Sequence, residues 1–166
     1  YAIRRSAIQP PDVVRAYADK LIMDCGSPVH EPFAREVPDH FIVTTECTGI
    51  FPADGTIYAA HGHAHTRAVA FSADIEVRGA WLPLLDLPSY DWLWHDRAYA
   101  YQVPIRGAAG QRIRVRCGHD NGAKKQWSLV TGGPGGPPPL ASASAVVYGY
   151  SKMDDMCNLV LGWVAD

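Results

Sequence analysis

The sequence predicts an all-β protein built as an antiparallel sandwich. Short segments rich in Val, Ile, Thr and aromatic residues recur along most of the chain, and several alternate apolar and polar residues with a period of two. Glycine and proline, 15 and 13 of 166 residues, separate these segments as turns. Helical periodicity is confined to the N-terminal region, so a two-layered β fold accounts for the pattern best.

The N-terminal forty residues predict an extension that packs on the sandwich. Pro11 to Asp24 has apolar residues near a helical spacing after a proline-rich start, which favours a short helix. Ala16 to Met23 is almost equally compatible with a strand. Three prolines between residues 28 and 38 then interrupt regular structure.

From Phe41 onward, eight segments predict strands. Turns at Pro52–Gly55, Arg78–Gly79 and Gly107–Gly110 separate several of them. In one strand, three arginines alternate with Ile, Val and Cys, which indicates a half-buried strand with a solvated outer face. The predicted strands are Phe41–Cys47, Thr56–Ala60, Ala68–Val77, Ala80–Leu85, Tyr99–Pro104, Arg112–Cys117, Ala145–Tyr150 and Asn158–Val164.

Length and composition narrow the class of protein. A chain of 166 residues, 48% apolar and 19% charged, fits a single globular domain over residues 1–166. The net charge is -2 and no block of Lys or Arg stands out, which argues against nucleic acid as a partner. No apolar run is long enough for a membrane-spanning helix.

The four cysteines are well separated and form no CxxC pair. An even number of such cysteines fits two disulfides in an oxidising compartment, so we expect a secreted or extracytoplasmic protein. Four buried, reduced thiols are the alternative. The cysteines are Cys25, Cys47, Cys117 and Cys157.

The candidate metal ligands of the chain lie in two segments. The first is His63-Ala64-His65, and the second is Met153-Asp154-Asp155-Met156-Cys157, which contains Met156. In a strand, residues two apart point to the same face, so both imidazoles could reach one ion. A thioether favours copper, above all Cu(I), and imidazole serves both copper oxidation states. The pattern predicts a single, open copper site.

These residues resemble the copper type II, ascorbate-dependent monooxygenases, the family of peptidylglycine α-hydroxylating and dopamine β-monooxygenases. His63 to Gly79 resembles the family's HxH strand and hairpin, and Gly149 to Asn158 resembles its GGTSSDEMCN stretch. The segments Tyr90 to Trp94 and Arg114 to Asn121 are similar to motifs between them. The resemblance covers about residues 41 to 164.

The resemblance implies the family's C-terminal catalytic domain, a jelly-roll-like sandwich that uses one copper to activate O2 and hydroxylate a C–H bond. It implies His63, His65 and Met156 as ligands and a disulfide between Cys117 and Cys157. The family partner of Cys47 has no counterpart after Cys157, which leaves Cys25 as the candidate.

Other positions depart from the family. His61 stands where peptide-amidating enzymes carry an arginine that grips the peptide carboxylate, and Val160 replaces a tyrosine of the same grip, although Asn158 is retained. We therefore expect no activity on glycine-extended peptides. His61 could be a third imidazole ligand, a group that supports the ligands or a substrate contact. Asn158 and His95 are candidates for the same supporting roles.

The family's electron-transfer copper domain, with its His-His pair, has no counterpart in this sequence. The first hypothesis is a single-copper oxygenase acting on an apolar small molecule, with a separate electron donor or an external reductant such as ascorbate. The second is a redox-neutral, metal-dependent cyclase or lyase on the same scaffold. The third is a secreted copper carrier that is not an enzyme.

Overall fold

The computed structural model describes residues 4–7, 14–16, 19–25, 42–120, 122 and 156–166. Within them it has ten strands and one short helix. The strands are β1 (Arg4–Ala7), β2 (Val14–Ala16), β3 (Lys20–Asp24), β4 (Ile42–Ile50), β5 (Gly55–His63), β6 (Ala68–Val77), β7 (Ala80–Leu87), β8 (Tyr99–Gly107), β9 (Arg112–Asp120) and β10 (Asn158–Ala165). The helix α1 is Trp92–His95.

The strands form two five-stranded sheets, in the orders β1-β4-β9-β6-β7 and β2-β3-β10-β5-β8. Every pairing is antiparallel except that of β1 with β4. One apolar core takes side chains from both sheets, among them Leu21, Ile57, Phe71, Ile113 and Leu159. The prediction of an all-β sandwich is confirmed, and the finer jelly-roll assignment stays a prediction.

The prediction of a helix over Pro11 to Asp24 is wrong where the structure describes these residues, and the alternative of a strand within Ala16 to Met23 is confirmed for residues 20–23. Val14–Ala16 and Lys20–Asp24 are strands that pair with each other, and β3 also pairs with β10. Leu21 and Met23 are fully buried and alternate with less buried neighbours. Pairing with β10 therefore outweighed a marginal helical spacing, because a helix this short has little stability of its own.

The alternation in β9 is confirmed. Ile113, Val115 and Cys117 are completely buried, whereas the arginines between them lie on the outer face. Arg114 and Arg116 both donate hydrogen bonds to Asp74 on the neighbouring strand β6. The predicted strand Ala145–Tyr150 lies outside the described residues.

Two disulfides join the sheets through the core, which confirms the expectation of two bridges. Cys25, at the end of β3, pairs with Cys47 of β4, and Cys117 of β9 pairs with Cys157, just before β10. The Cys25 amide donates to the Cys157 carbonyl at 2.9 Å, so the two bridges are neighbours. Such bridges are typical of proteins in oxidising compartments.

A hydrogen bond between neighbouring residues stabilises the start of the helix α1. The Asp91 carboxylate accepts a hydrogen bond from the Leu93 amide at 2.8 Å and thereby caps the first turn. His95 in turn accepts one at Nδ1 from the Asp91 amide at 2.9 Å.

The described part of the chain contains no helix with the length and apolar character needed to cross a bilayer.

Gly62 brings β5 close to the core. A Cβ atom at this position would lie 2.5 Å from two atoms of the Phe71 ring, so only glycine fits without movement. Phe71 is itself buried at 1% exposure, which leaves the ring little room to move away.

We therefore expect Gly62→Ala to lower the free energy of unfolding by about 1–3 kcal/mol, the usual cost of overpacking a core. Urea unfolding measures it. Gly118→Ala is the matched control, because its Cβ would meet the Ala70 Cβ at an ordinary 3.4 Å. Equal losses in the two variants would contradict the role of the Phe71 contact.

Candidate metal centre

The histidine segment, His61 to His65, begins in the last residues of β5 and continues two residues beyond its end at His63. Gly62 and Ala64 are buried and face inward, whereas His61 and His63 are partly exposed on the opposite face. This is the period of two expected for a strand. Their imidazole rings lie 6.1 Å apart between centroids.

A carboxylate joins these two histidines. One oxygen of Asp96, Oδ1, lies 2.7 Å from His61 Nε2 and 2.8 Å from His63 Nδ1. Donor atoms of the three residues all lie within 4.8 Å of one another, which makes them a candidate metal site among the described residues. Two imidazole nitrogens and one carboxylate oxygen form a donor set that suits Zn²⁺ or Fe²⁺.

The electrostatics of Asp96 follow from its two partners. Partial burial by itself raises the pKa of the carboxyl, but the hydrogen bonds with His63 and His61 outweigh it and hold the pKa below its ordinary value. Asp96 is therefore an ionised acceptor near neutral pH. Both histidines must then donate N–H to it, since a carboxylate oxygen has no proton to give.

His65 lies next to this group. Its ring is edge-on to that of His63, with centroids 5.1 Å apart and an interplanar angle of 86°. His65 is 6% exposed, much more buried than its two companions.

Met156 lies two residues before Asn158, which pairs with His63 at the end of the β5–β10 ladder. Met156 and His65 both lie just beyond this last pair. Met156 is 4% exposed, and its carbonyl lies 3.2 Å from His119 Nε2, which must donate because a carbonyl only accepts. The disulfide at Cys157 fixes the adjacent residue.

The remaining predicted residues have structural contacts. With its amide oriented to satisfy its neighbours, Asn158 donates to Asp24 Oδ1 at 2.8 Å and to the Cys157 carbonyl at 3.0 Å. The Nδ1 atom of His95 accepts the Asp91 amide, within α1. The structure thus groups His61 with His63, adds Asp96, which the sequence did not single out, and places the His65 ring next to that of His63. Met156 as a ligand stays a prediction.

Tyr90 anchors the segment that carries Asp96 to the histidine segment. Its hydroxyl accepts from the Ala64 amide at 3.2 Å and donates to the Ala64 carbonyl at 3.1 Å. Burial raises the pKa of Tyr90 well above its ordinary range, so it stays protonated. The Tyr90 amide also donates to the Val69 carbonyl at 2.9 Å.

Comparison with known proteins gives no relatives: no protein-family model and no curated protein sequence matches this chain.

We expect Tyr90→Phe to cost about 1–3 kcal/mol of unfolding free energy, because it leaves buried backbone groups of Ala64 unpaired. The NMR signals of the His61 and His63 rings should shift as well. Tyr101→Phe is the matched control, since its hydroxyl donates to the Leu84 carbonyl at 2.7 Å, between β8 and β7. Histidine signals that move equally in both variants would contradict a specific role of Tyr90.

Proposed function

We propose that this protein is a mononuclear copper-binding enzyme of the oxygenase type, with His63, His65 and Met156 as the ligands. The observation that carries the proposal is the pairing of β5 with β10, because Met156 and His65 each lie two residues beyond its last pair, Asn158 with His63. The resemblance of these same segments to copper monooxygenases supplies the chemistry.

The donor set fits copper. The Nδ1 atom of His63 is engaged with Asp96, so its Nε2 is the nitrogen left for an ion, and Nε2 has no hydrogen bond to a described residue. His65 adds a second imidazole and Met156 a thioether, a combination that favours copper over a harder cation. Three protein ligands leave coordination positions open for a small molecule.

Bound copper would supply one-electron chemistry and activation of O2. Hydroxylation of a C–H bond converts R–H and O2 to R–OH and water, and it consumes two electrons and two protons. The described residues include no second cluster of His, Cys, Asp and Glu arranged to hold a metal. We propose that an external reductant such as ascorbate, or a separate electron-donor protein, provides both electrons.

The surroundings favour an apolar small molecule as substrate. Leu93 and Trp94, on α1 close to Asp96, are 76% and 72% exposed. We propose that these two exposed apolar side chains contribute to the contact with an apolar substrate. The two disulfides support secretion as the route to an oxidising compartment.

A second candidate function is a redox-neutral, metal-dependent cyclase or lyase. The observation that favours it is the cluster of His61, His63 and Asp96, whose donor atoms lie within 4.8 Å of one another. A hard divalent cation held there would act as a Lewis acid.

We expect His65→Ala and Met156→Ala each to weaken copper binding beyond the about 10–100-fold that loss of an outer hydrogen-bond partner costs. Competition with a chromophoric Cu(I) chelator measures the affinity, and thermal unfolding verifies the fold. Gln111→Ala is the control, because its side chain contacts the Ala108 amide and the Glu76 carbonyl at the start of β9, away from the histidines.

Oxygen uptake by the copper-loaded protein with ascorbate distinguishes an oxygenase from a carrier. Uptake that depends on His65 and Met156 would support the proposal. Metal retained in His65→Ala and Met156→Ala but lost in His61→Ala would instead support the second candidate.

A further inference from the structure

Asp96 holds two histidines through one oxygen atom. His61 Nε2 and His63 Nδ1 lie 2.7 and 2.8 Å from Oδ1 of this carboxylate. The two bonds use chemically different nitrogens of the two rings, although the residues are only two positions apart on one strand face.

The two histidines therefore differ in which ring nitrogen carries the proton. His63 gives its Nδ1 proton to Asp96, so its lone pair is on Nε2, the ring nitrogen farther from the backbone. His61 gives its Nε2 proton to the same oxygen, so its lone pair is on Nδ1, close to its own strand. The outward-reaching nitrogen is thus open in His63 and engaged in His61.

We propose that Asp96 is a positioning residue that fixes the tautomer and ring orientation of His63 so that Nε2 faces the metal, while His61 holds Asp96 in place. The inference rests on the proposed function, because it requires His63 to be a ligand. Metal-ligating histidines generally donate their second N–H to a carboxylate or carbonyl, which orients the ring and raises its basicity.

The distances distinguish this role from direct ligation by Asp96. Ligands about 2.0–2.2 Å from a tetrahedral ion lie about 3.3–3.6 Å from one another. The separations of 2.7 and 2.8 Å to Asp96 are hydrogen-bond lengths, shorter than that spacing. The carboxylate and the two rings are therefore joined by hydrogen bonds, at a spacing shorter than that of three ligands around one ion.

The fold holds Asp96 at this place from both sides of the histidine strand. Tyr90 bonds the backbone of Ala64 from the buried side, and Asp91 caps α1, which ends immediately before Asp96. Asp96 then reaches His61 and His63 from the outer side. A supporting residue needs such fixation, because a loosely held carboxylate would not define a ring orientation.

The test uses the full chain loaded with Cu(II), and the variants Asp96→Ala, Asp96→Asn and His61→Ala. Pulsed EPR detects the uncoordinated imidazole nitrogen, whose quadrupole coupling depends on the hydrogen bond it makes. We expect Asp96→Ala to change this signal and to lower copper affinity about 10–100-fold. Asp96→Asn, which keeps an acceptor oxygen, should fall between Asp96→Ala and wild type, and His61→Ala should retain most of the affinity.

Asp54→Ala is the matched control, because its carboxylate also accepts a hydrogen bond, from the Ala109 amide, but at the opposite end of β5 from His63. An equal loss of affinity in Asp54→Ala and Asp96→Ala would overturn the inference, since a general loss of order would then explain both. An unchanged nitrogen signal in Asp96→Ala would overturn it too. Binding that depends on His65 and Met156 but not on Asp96 would reject this inference alone, whereas a wild-type protein without copper affinity would reject the proposed function.

Discussion

The pairing of β5 with β10 is the constraint on which the candidate centre depends. It sets Asn158 opposite His63 and so brings two chain segments, almost a hundred residues apart, to one edge of the sandwich. Both disulfides tie the two sheets together beside this edge, and one of them includes the residue that follows Met156. Met156 is a proposed ligand with a flexible side chain, and the disulfide next to it restricts its backbone.

A second constraint acts on the histidine segment from both its buried and its outer side. The stretch from Tyr90 to Asp96 contacts it through a buried hydroxyl and an ionised carboxylate. The two contacts differ in kind, because the first satisfies backbone groups in the core and the second fixes side chains at the surface. Together they hold the histidine segment in place and fix which ring nitrogens of His61 and His63 carry the proton.

His63 uses its two ring nitrogens differently. Its Nδ1 atom is engaged with Asp96, whereas the proposed copper site uses its Nε2 atom. Which ion such a site prefers depends on whether the carboxylate acts as a ligand or as an acceptor for a ligand's N–H. Asp96 would be a ligand in the Lewis-acid site and a hydrogen-bond acceptor in the proposed copper site, so its role differs between the two candidate functions.

The sequence by itself determined the class of fold, the number of disulfides and a histidine segment with successive imidazoles on one face. These depend on local alternation, as in β9, and on residue type, so they are readable without coordinates. The sequence left Ala16 to Met23 nearly balanced between helix and strand, and the pairing of Lys20–Asp24 with β10 decided in favour of the strand. The tertiary structure alone decided that Asp96, 33 residues from His63, meets the histidines, because no local pattern links a carboxylate after a short helix to a strand it reaches only through folding.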